Sequence, residues 1–465
     1  MVEKNYKIIL SPFKILFSHF RAANKELYAV GGCVRDILIG QTPKDFDFTT
    51  NATPSQIKEI LRENGMKVIA IGENFGTIAT LIAGKSYEIT TYRVKESYKK
   101  DSRHPVVVFG TDLSKDLERR DLTINAMAMS EDGEIVDPFG GRQDLLARRL
   151  RVPRSSLEKS IEIFNDDPLR ILRLARFLGR LGFEVDADAA AAAKVCAPQI
   201  LHVSRERWKC ELEGLLCSKN SAKGLQWLIQ CGILSFMIPE FWALKSAKLH
   251  MKSIFFDTCD SQNASPLLEN LLNSIDKIPN YSSIRWAWLF MLLGAPIAVR
   301  PDNAAGLCSL SQRMAGEIAQ RLKFSNIERF ELCDILHPFP SDTQDPSPSA
   351  ARRLAIKLGA ALPTWLELQR AKLRTLTSEA QSGERQRLEA WEKFLVPYID
   401  KPEKAVVTLP HGLGQALQAQ LRIQGKSLGL VLSALHDAVI DGALHEYDSL
   451  ERYINYVREN ALIGS

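Results

Sequence analysis

No stretch of this 465-residue chain approaches the roughly 20 uninterrupted apolar residues that a membrane-crossing helix needs, so no membrane partner is expected. Cysteine pairs are missing too. The eight cysteines (Cys33, Cys196, Cys210, Cys217, Cys231, Cys259, Cys308 and Cys333) form no Cys-x-x-Cys, which excludes a zinc ribbon or a dithiol redox motif. Their scatter fits a reducing compartment, and a cytoplasmic protein is expected. The N-terminus is apolar only in patches, is broken by Pro12 and Lys14 and is followed by no small-residue cleavage site, so it reads as part of the fold. No internal repeat is present. With 45% hydrophobic and 25% charged residues, disorder, collagen and a coiled-coil rod are excluded as the main architecture. Neither charge dominates: 60 Lys and Arg against 55 Asp and Glu leave a net +5, which permits a polyanionic partner without demanding one. A length of about 150 residues per domain suggests about three domains.

What is present divides near residue 150. Before it, short apolar or alternating segments read as strands: Leu27 to Val30, Asp45 to Thr50, Val68 to Ile71, Thr77 to Ile82 and Tyr87 to Tyr92, punctuated by Gly72, Gly76 and Gly84. Thr53-Pro54 opens a helix running to about Gly65, with Thr53 as N-cap. After residue 150, apolar residues recur at helical spacing, as at Ile171, Leu174, Ala175 and Leu178. His337 to Ser349 is rich in Pro, Ser and Asp and reads as a linker or exposed loop.

The densest chemistry lies at Asp45 and Asp47. At i, i+2 on a strand they share one face. Two carboxylates side by side repel, and a hard divalent cation, Mg²⁺ above all, is their natural partner with substrate phosphates completing the shell. Gly31-Gly32 upstream lets backbone N–H groups approach a triphosphate, Arg35 follows to meet phosphate charge, and Glu88 on a later strand is a candidate third carboxylate. A lone Asp-x-Asp is usually a pair of solvated aspartates. Here Gly31-Gly32-Cys33-Val34-Arg35-Asp36 precedes it, and the combination matches the signature of the polymerase-beta-like nucleotidyltransferases.

The chain then resembles one family, the class II tRNA nucleotidyltransferases or CCA-adding enzymes, whose relatives include bacterial poly(A) polymerases. The resemblance runs from about Tyr28 to Leu234, with weaker patches beyond. Tyr98 to Pro105, including Arg103, is similar to the family's flexible loop, which helps the site switch to ATP. Asp116 to Ala126 resembles the ribose- and phosphate-handling motif, which implies nucleotide contacts for Arg120, Asp121 and Asn125 beside Gly32 and Arg35. Asp137 to Leu145 resembles the hinge and reads as structural. Asn165 to Arg173 resembles the base-reading motif usually written EDxxR, implying that Asp167 and Arg170, three apart on one helix face, select C and A, with Arg173 nearby. A carboxylate accepts from the exocyclic amine and a guanidinium donates to the ring nitrogen, an order that G and U reverse. Asp166 stands where the family mostly has Glu. Val203 to Arg207 resembles a neck motif and reads as a helix N-cap with scaffold charges.

The resemblance implies an α+β fold: an N-terminal polymerase-beta-like nucleotidyltransferase head with a mixed sheet, then an elongated all-α neck, body and tail. The expected divisions are a head at 1–150, a neck at 151–235, a body at 236–350 and a tail at 351–465. Asp45, Asp47 and Glu88 are the catalytic candidates, with Asp45 and Asp47 as Mg²⁺ ligands, CTP and ATP as substrates and the tRNA acceptor arm as partner. Arg103, Arg142, Arg148 and Arg149 are RNA-contact candidates, and Arg352, Arg353, Arg370, Lys372 and Arg374 are candidates further along. Leu289 to Pro296 stands where many relatives carry a His-Asp metal motif. Met291 and Leu292 replace the ligands, so no phosphohydrolase activity is expected. Three rival readings remain at this level: an enzyme adding only the final A, a poly(A) polymerase, and a catalytically dead RNA-binding protein.

Overall fold

Phenylalanines alternate with aspartates at residues 45–48, and this alternation organises the N-terminal half. Phe48 is completely buried. Phe46 packs on Phe13 with ring centroids 4.8 Å apart, and Phe13 also meets Phe48 at 5.0 Å and Tyr87 at 4.8 Å. Helix α1 (Lys14–Ala22) buries Leu16, Phe17 and Phe20, so this part of the N-terminal segment packs into the fold, while residues 1–7 lie outside the described residues. The computed structural model describes residues 8–70, 72–98, 105–153, 156–241, 272–294, 304–340, 344–375, 378–460 and 462.

The strands are β1 (Tyr28–Val30), β2 (Asp47–Thr50), β3 (Val68–Ile69), β4 (Thr77–Ile82), β5 (Lys85–Thr91), β6 (Arg93–Tyr98), β7 (Pro105–Phe109), β8 (Ala128–Met129), β9 (Ile135–Val136), β10 (Arg149–Leu150) and β11 (Glu184–Val185). Seven form one sheet in the order β3-β4-β5-β2-β1-β8-β9. Only β2 and β5 run parallel within it, so the sheet is mixed, as expected. β6 and β7 make a separate hairpin. Strand β2 starts at Asp47, so Asp45 lies in the loop before it and not on the strand.

Helix α2 (Gly32–Leu38) follows β1 directly, and α3 (Pro54–Glu63) begins with the full capping box of Thr53 and Gln56 behind Pro54. Helices α4 (Leu113–Glu118) and α5 (Gly141–Leu146) complete the head. Beyond it come α6 (Leu157–Asp166), α7 (Leu169–Leu181), α8 (Ala187–Cys196), α9 (Arg205–Leu216) and α10 (Ser221–Gln230). This region is not purely helical, because its strand β11 pairs in parallel with β10 at the end of the head. Helix α7 buries Leu169, Ile171, Leu172, Leu174, Ala175, Phe177 and Leu178, and stops at Gly182 with φ +68°. At Gly179 a Cβ would stand 2.4 Å from Ser218 Oγ and 2.7 Å from Leu215 Cδ1, so only glycine permits this close helix approach.

The chain forms two compact units, one within Met1–Lys248, Asn263–Asp276 and Ile318–Phe324, the other within Leu249–Gln262, Lys277–Glu317 and Ser325–Ser465. The second is helical among the described residues and holds two apolar clusters, one around Trp365, Trp391 and Leu395, the other around Leu417, Leu435 and Tyr453. Met291 and Leu292 lie buried on the helix Ser282–Gly294, as apolar core. The Pro/Ser-rich stretch is not simply exposed. The His337 carbonyl accepts from Trp365 Nε1 at 2.8 Å, and Phe339 stacks on Trp365 at 5.7 Å. No described helix is long and apolar enough to cross a membrane.

Candidate active site

The register of β2 against β5 sets Asp47 opposite Glu88. In a parallel pair, opposed residues point to the same face. That face is opposite the one on which Phe46 and Phe48 meet Phe13, so the packing of the aromatics directs the carboxylates away from the core. Asp45, Asp47 and Glu88 are all solvent-accessible. Even so, the protein packed around Asp47 raises its carboxyl above the usual range; Arg120 opposes the rise and Asp45 adds to it. Burial also raises Glu88, with Asp47 adding and Arg93 opposing. In both groups burial is the main cause, and it disfavours the charged carboxylate. Among the described residues no three His, Cys, Asp or Glu side chains converge into a complete metal cage. Asp45, Asp47 and Glu88 offer carboxylate oxygens, the donor type that a hard divalent cation takes one or two at a time, with water and phosphate filling its shell.

Beside this edge lies a layer of buried carboxylates held by arginines. Asp116 is fully buried and takes Arg119 Nη2 at 2.7 Å, Arg120 Nη2 at 3.1 Å, the Arg93 backbone N–H at 3.0 Å and the Thr49 hydroxyl at 3.3 Å. Burial alone would raise its carboxyl; Arg120 and Arg119 instead hold it down at about 2. Asp121 Oδ2 accepts from Arg173 Nη2 at 2.7 Å, and its Oδ1 accepts from Asn125 Nδ2 at 3.0 Å and from the Leu122 N–H at 2.9 Å. Burial is again overcome, here by Arg173 and Asn125, and Asp121 also sits at about 2.

Arg35 does not stand open to a phosphate. It is 2% exposed, with Nε and Nη2 on Asp36 at 2.9 and 2.7 Å and Nη1 on Asn125 Oδ1 at 2.6 Å. Gly31 occupies φ +81°, and a Cβ there would lie 3.2 Å from Arg120 Nη1; Gly32 opens α2 behind it.

Asp167 and Arg170 do not share one helix. Asp167 is the extended residue between α6 and α7, with φ −147° and ψ 98°, and Pro168 makes this break. Its Oδ1 caps the Leu169 N–H at 3.2 Å, and its Oδ2 accepts from Arg207 Nη2 at 2.8 Å. Arg170, in the first turn of α7, donates from Nη2 to the Arg119 carbonyl at 2.7 Å and from Nη1 to that of Ile163 at 3.3 Å. No ion pair joins the two, so the break leaves each with its own partners. Arg173 bridges Asp121 and, at 3.6 Å, Glu211.

The RNA-contact candidates separate. Arg103 and most of the loop at 98–105 lie outside the described residues. Arg142 is exposed. Arg148 places its guanidinium 5.5 Å from the Phe183 ring centroid. Arg149 pairs with buried Asp144 at 2.9 Å, and that carboxylate also takes Arg151 and the Thr123 hydroxyl. In the second unit, Arg352 pairs with Glu446, Arg353 with Asp441 at 2.7 Å and Arg370 with Glu392 at 2.8 Å, so much of the basic surface read there is locked in ion pairs. The sequence reading did not single out Asp116, Asp36, Arg207, Arg180 or Glu211. The first three stand inside motifs already quoted, whereas Arg180 and Glu211 carry no sequence signal.

Residues 27–151 match the family model "Poly A polymerase head domain", and 182–245 match "Probable RNA and SrmB-binding site of polymerase A". The CCA-adding enzyme of Geobacillus thermodenitrificans is 36% identical over 49% of this chain and 55% of its own length; that of Bacillus velezensis is 31% identical over 60% and 63%. The chain therefore spans less than two thirds of these relatives. Among solved structures, the Bacillus stearothermophilus CCA-adding enzyme in complex with CTP superimposes with a TM-score of 0.67 at 25% identity, covering 97% of this chain and 98% of that one. The Thermotoga maritima CCA-adding enzyme complexed with tRNA shares the fold at a TM-score of 0.54 and 20% identity, covering 97% and 95%.

Proposed function

We propose that this protein, whose head and neck resemble those of the class II tRNA nucleotidyltransferases, adds CCA to the 3′ end of tRNA without a template, using CTP and ATP. The register pairing of Asp47 with Glu88, with Asp45 in the loop beside them, carries this reading, because it gathers carboxylates at the edge of an arginine-rich layer.

In this reading the RNA 3′-hydroxyl attacks the α-phosphorus, the bond from that phosphorus to the bridging oxygen breaks, and pyrophosphate leaves. Asp45 and Asp47 would hold two Mg²⁺ ions, which when bound would supply hydroxyl activation and charge neutralisation. Glu88 adds negative charge beside Asp47. Arg120, already within electrostatic reach of Asp47, faces the triphosphate. Asp121 already accepts four N–H groups, from Arg173 Nε and Nη2, Asn125 Nδ2 and the Leu122 backbone, so in this reading it serves the nucleotide by holding Arg173 and Asn125 in place. Asp167 accepts from the exocyclic amine of C or A. Arg170 uses two of its five N–H groups on backbone carbonyls and keeps others for the ring nitrogen. The head at 1–150 is assigned catalysis, the neck at 151–235 base choice, and the tail at 351–465, with Arg142 and Arg148, contact with the tRNA.

Single-nucleotide extension tests this. Purified protein with Mg²⁺ receives tRNA transcripts ending before CCA, after C and after CC, with CTP, ATP or both. Completion of all three to CCA followed by a stop supports the proposal. Extension of the CC-ending transcript alone makes the protein an A-adding enzyme, and long A tails make it a poly(A) polymerase. No extension anywhere, with RNA bound equally by wild type and Asp45→Ala, leaves a binding protein.

A further inference from the structure

Helix α7, which carries Arg170, is fastened to the head at both ends. In its first half, Arg173 Nη2 meets Asp121 Oδ2 at 2.7 Å. Near its C-terminus, Arg180 Nη2 meets Asp36 Oδ2 at 3.2 Å. These two arginines are seven residues apart, so they lie about two turns and about 10 Å apart on one face. The two anchors are joined behind the helix. Asp36 Oδ1 holds Arg35 at 2.7 Å, Arg35 Nη1 holds Asn125 Oδ1 at 2.6 Å, and Asn125 Nδ2 holds Asp121 Oδ1 at 3.0 Å. The circuit Arg180, Asp36, Arg35, Asn125, Asp121, Arg173 thus starts and ends on α7. Arg35 also stands over the ring of Phe177, on the same helix, at 5.1 Å.

We propose that this closed circuit sets nucleotide selectivity, with Arg35 and Arg180 as positioning residues that fix the rotation of α7 and hence the aim of Arg170. Arg170 and Arg173 tie the first half of the helix to the Arg119 carbonyl and Asp121, so Arg180 on Asp36 is the contact that keeps the far end from swinging about them. Reading a base edge needs donor and acceptor placed within a fraction of an ångström, and a 1 Å misplacement can cost about 10²-fold. Arg35 therefore acts in this site through Asp36 and Asn125 and not by meeting phosphate. The inference rests on the reading of Asp167 and Arg170 as the base readers.

The test uses the full chain and two readouts: direct binding of CTP, ATP, UTP and GTP with Mg²⁺ in the absence of RNA, and steady-state incorporation of CTP against UTP on tRNA lacking CCA. Three variants are compared with wild type: Arg180→Gln, Arg180→Lys and Arg35→Lys. Arg180 has a side chain 43% exposed, so its substitution spares the core. Arg180→Gln is expected to lower the CTP-over-UTP preference roughly tenfold, mainly through a higher KM for CTP with a smaller fall in kcat. Arg180→Lys should restore most of that preference, and Arg35→Lys, if it folds, should lose at least as much as Arg180→Gln. Preference within twofold of wild type in Arg180→Gln overturns the proposal. So does a loss that tracks a lowered melting temperature and is not restored by lysine. If wild type itself binds all four nucleotides alike, the base-reading assignment fails first, which separates the two failures.

Discussion

Asp116 has no exposed surface and no assigned contact with substrate, yet its replacement should be among the most costly in the head. Its carboxyl is held at about 2 against an ordinary 3.8, burial being overcome by Arg120, Arg119 and the Arg93 N–H. At about 1.4 kcal/mol per tenfold change in proton affinity, that depression corresponds to roughly 2 kcal/mol of stability. A depressed carboxyl stabilises the fold above its unfolded value, and the contribution disappears as pH falls through 3.8 towards 2. Asp116→Asn keeps the shape and removes the charge, so it should cost roughly 2 kcal/mol at pH 7 and progressively less as pH falls below 4. Asp116→Ala also abandons two guanidinium groups and a backbone N–H, and should cost about 3–5 kcal/mol. Because the chain has two units, the measurement must be local. Amide exchange of Thr77–Ile82 and Lys85–Thr91, corrected for intrinsic rates at each pH, reports opening of the sheet. A penalty for Asp116→Asn that is equal at pH 7 and pH 3, or absent at pH 7, would refute the assignment of this stability to charge.

Asp47→Asn should lower single-nucleotide extension by at least ~10³-fold while circular dichroism and melting stay near wild type, since the side chain is solvent-accessible; an active variant would move the metal site elsewhere. Phe48→Ala should destabilise the head by about 3–5 kcal/mol, read as earlier exchange in β4 and β5, because it empties the middle of the aromatic cluster. Gly141→Ala should lower the melting temperature clearly, since its Cβ would fall 2.3 Å from the Thr123 carbonyl oxygen, whereas Gly40→Ala meets nothing within 4 Å and should cost only about 1 kcal/mol for its φ of +75°. Equal melting of the two glycine variants would contradict this distinction.

Much of the head could be read in one dimension because its signals are local. Strand β4 coincides with the expected Thr77 to Ile82, and Thr53, Pro54 and Gln56 together define the start of α3. Met291 and Leu292, in an apolar run of the sequence, lie buried on a helix. Local patterns failed where partners are distant. Arg35 and Asn125 are 90 residues apart, and Asp36 and Arg180 are 144 apart. Nothing near Arg35 announces that it will be buried, so a guanidinium next to a glycine pair reads as a phosphate ligand. The three-residue spacing of Asp167 and Arg170 suggested one helix face, but Pro168 between them breaks the helix first. Arg352, Arg353 and Arg370 read as solvated helix faces or phosphate contacts, because their carboxylate partners are invisible without the fold.

The aromatic packing beneath the carboxylates bears on where the N-terminal unit has to begin. The family match starts at residue 27, and every motif of the head lies after it. The support under Phe46 and Phe48 is supplied by Phe13 and Phe17, which precede it. Asp45 has no ladder of its own, and its placement depends on Phe46 being seated on Phe13. A fragment cut at the first motif would keep all the reactive groups and lose the floor that aims them. The boundary drawn by likeness to relatives and the boundary drawn by mechanics therefore differ, and a fragment that keeps Asp45 and Asp47 supported as they are here has to begin ahead of Phe13.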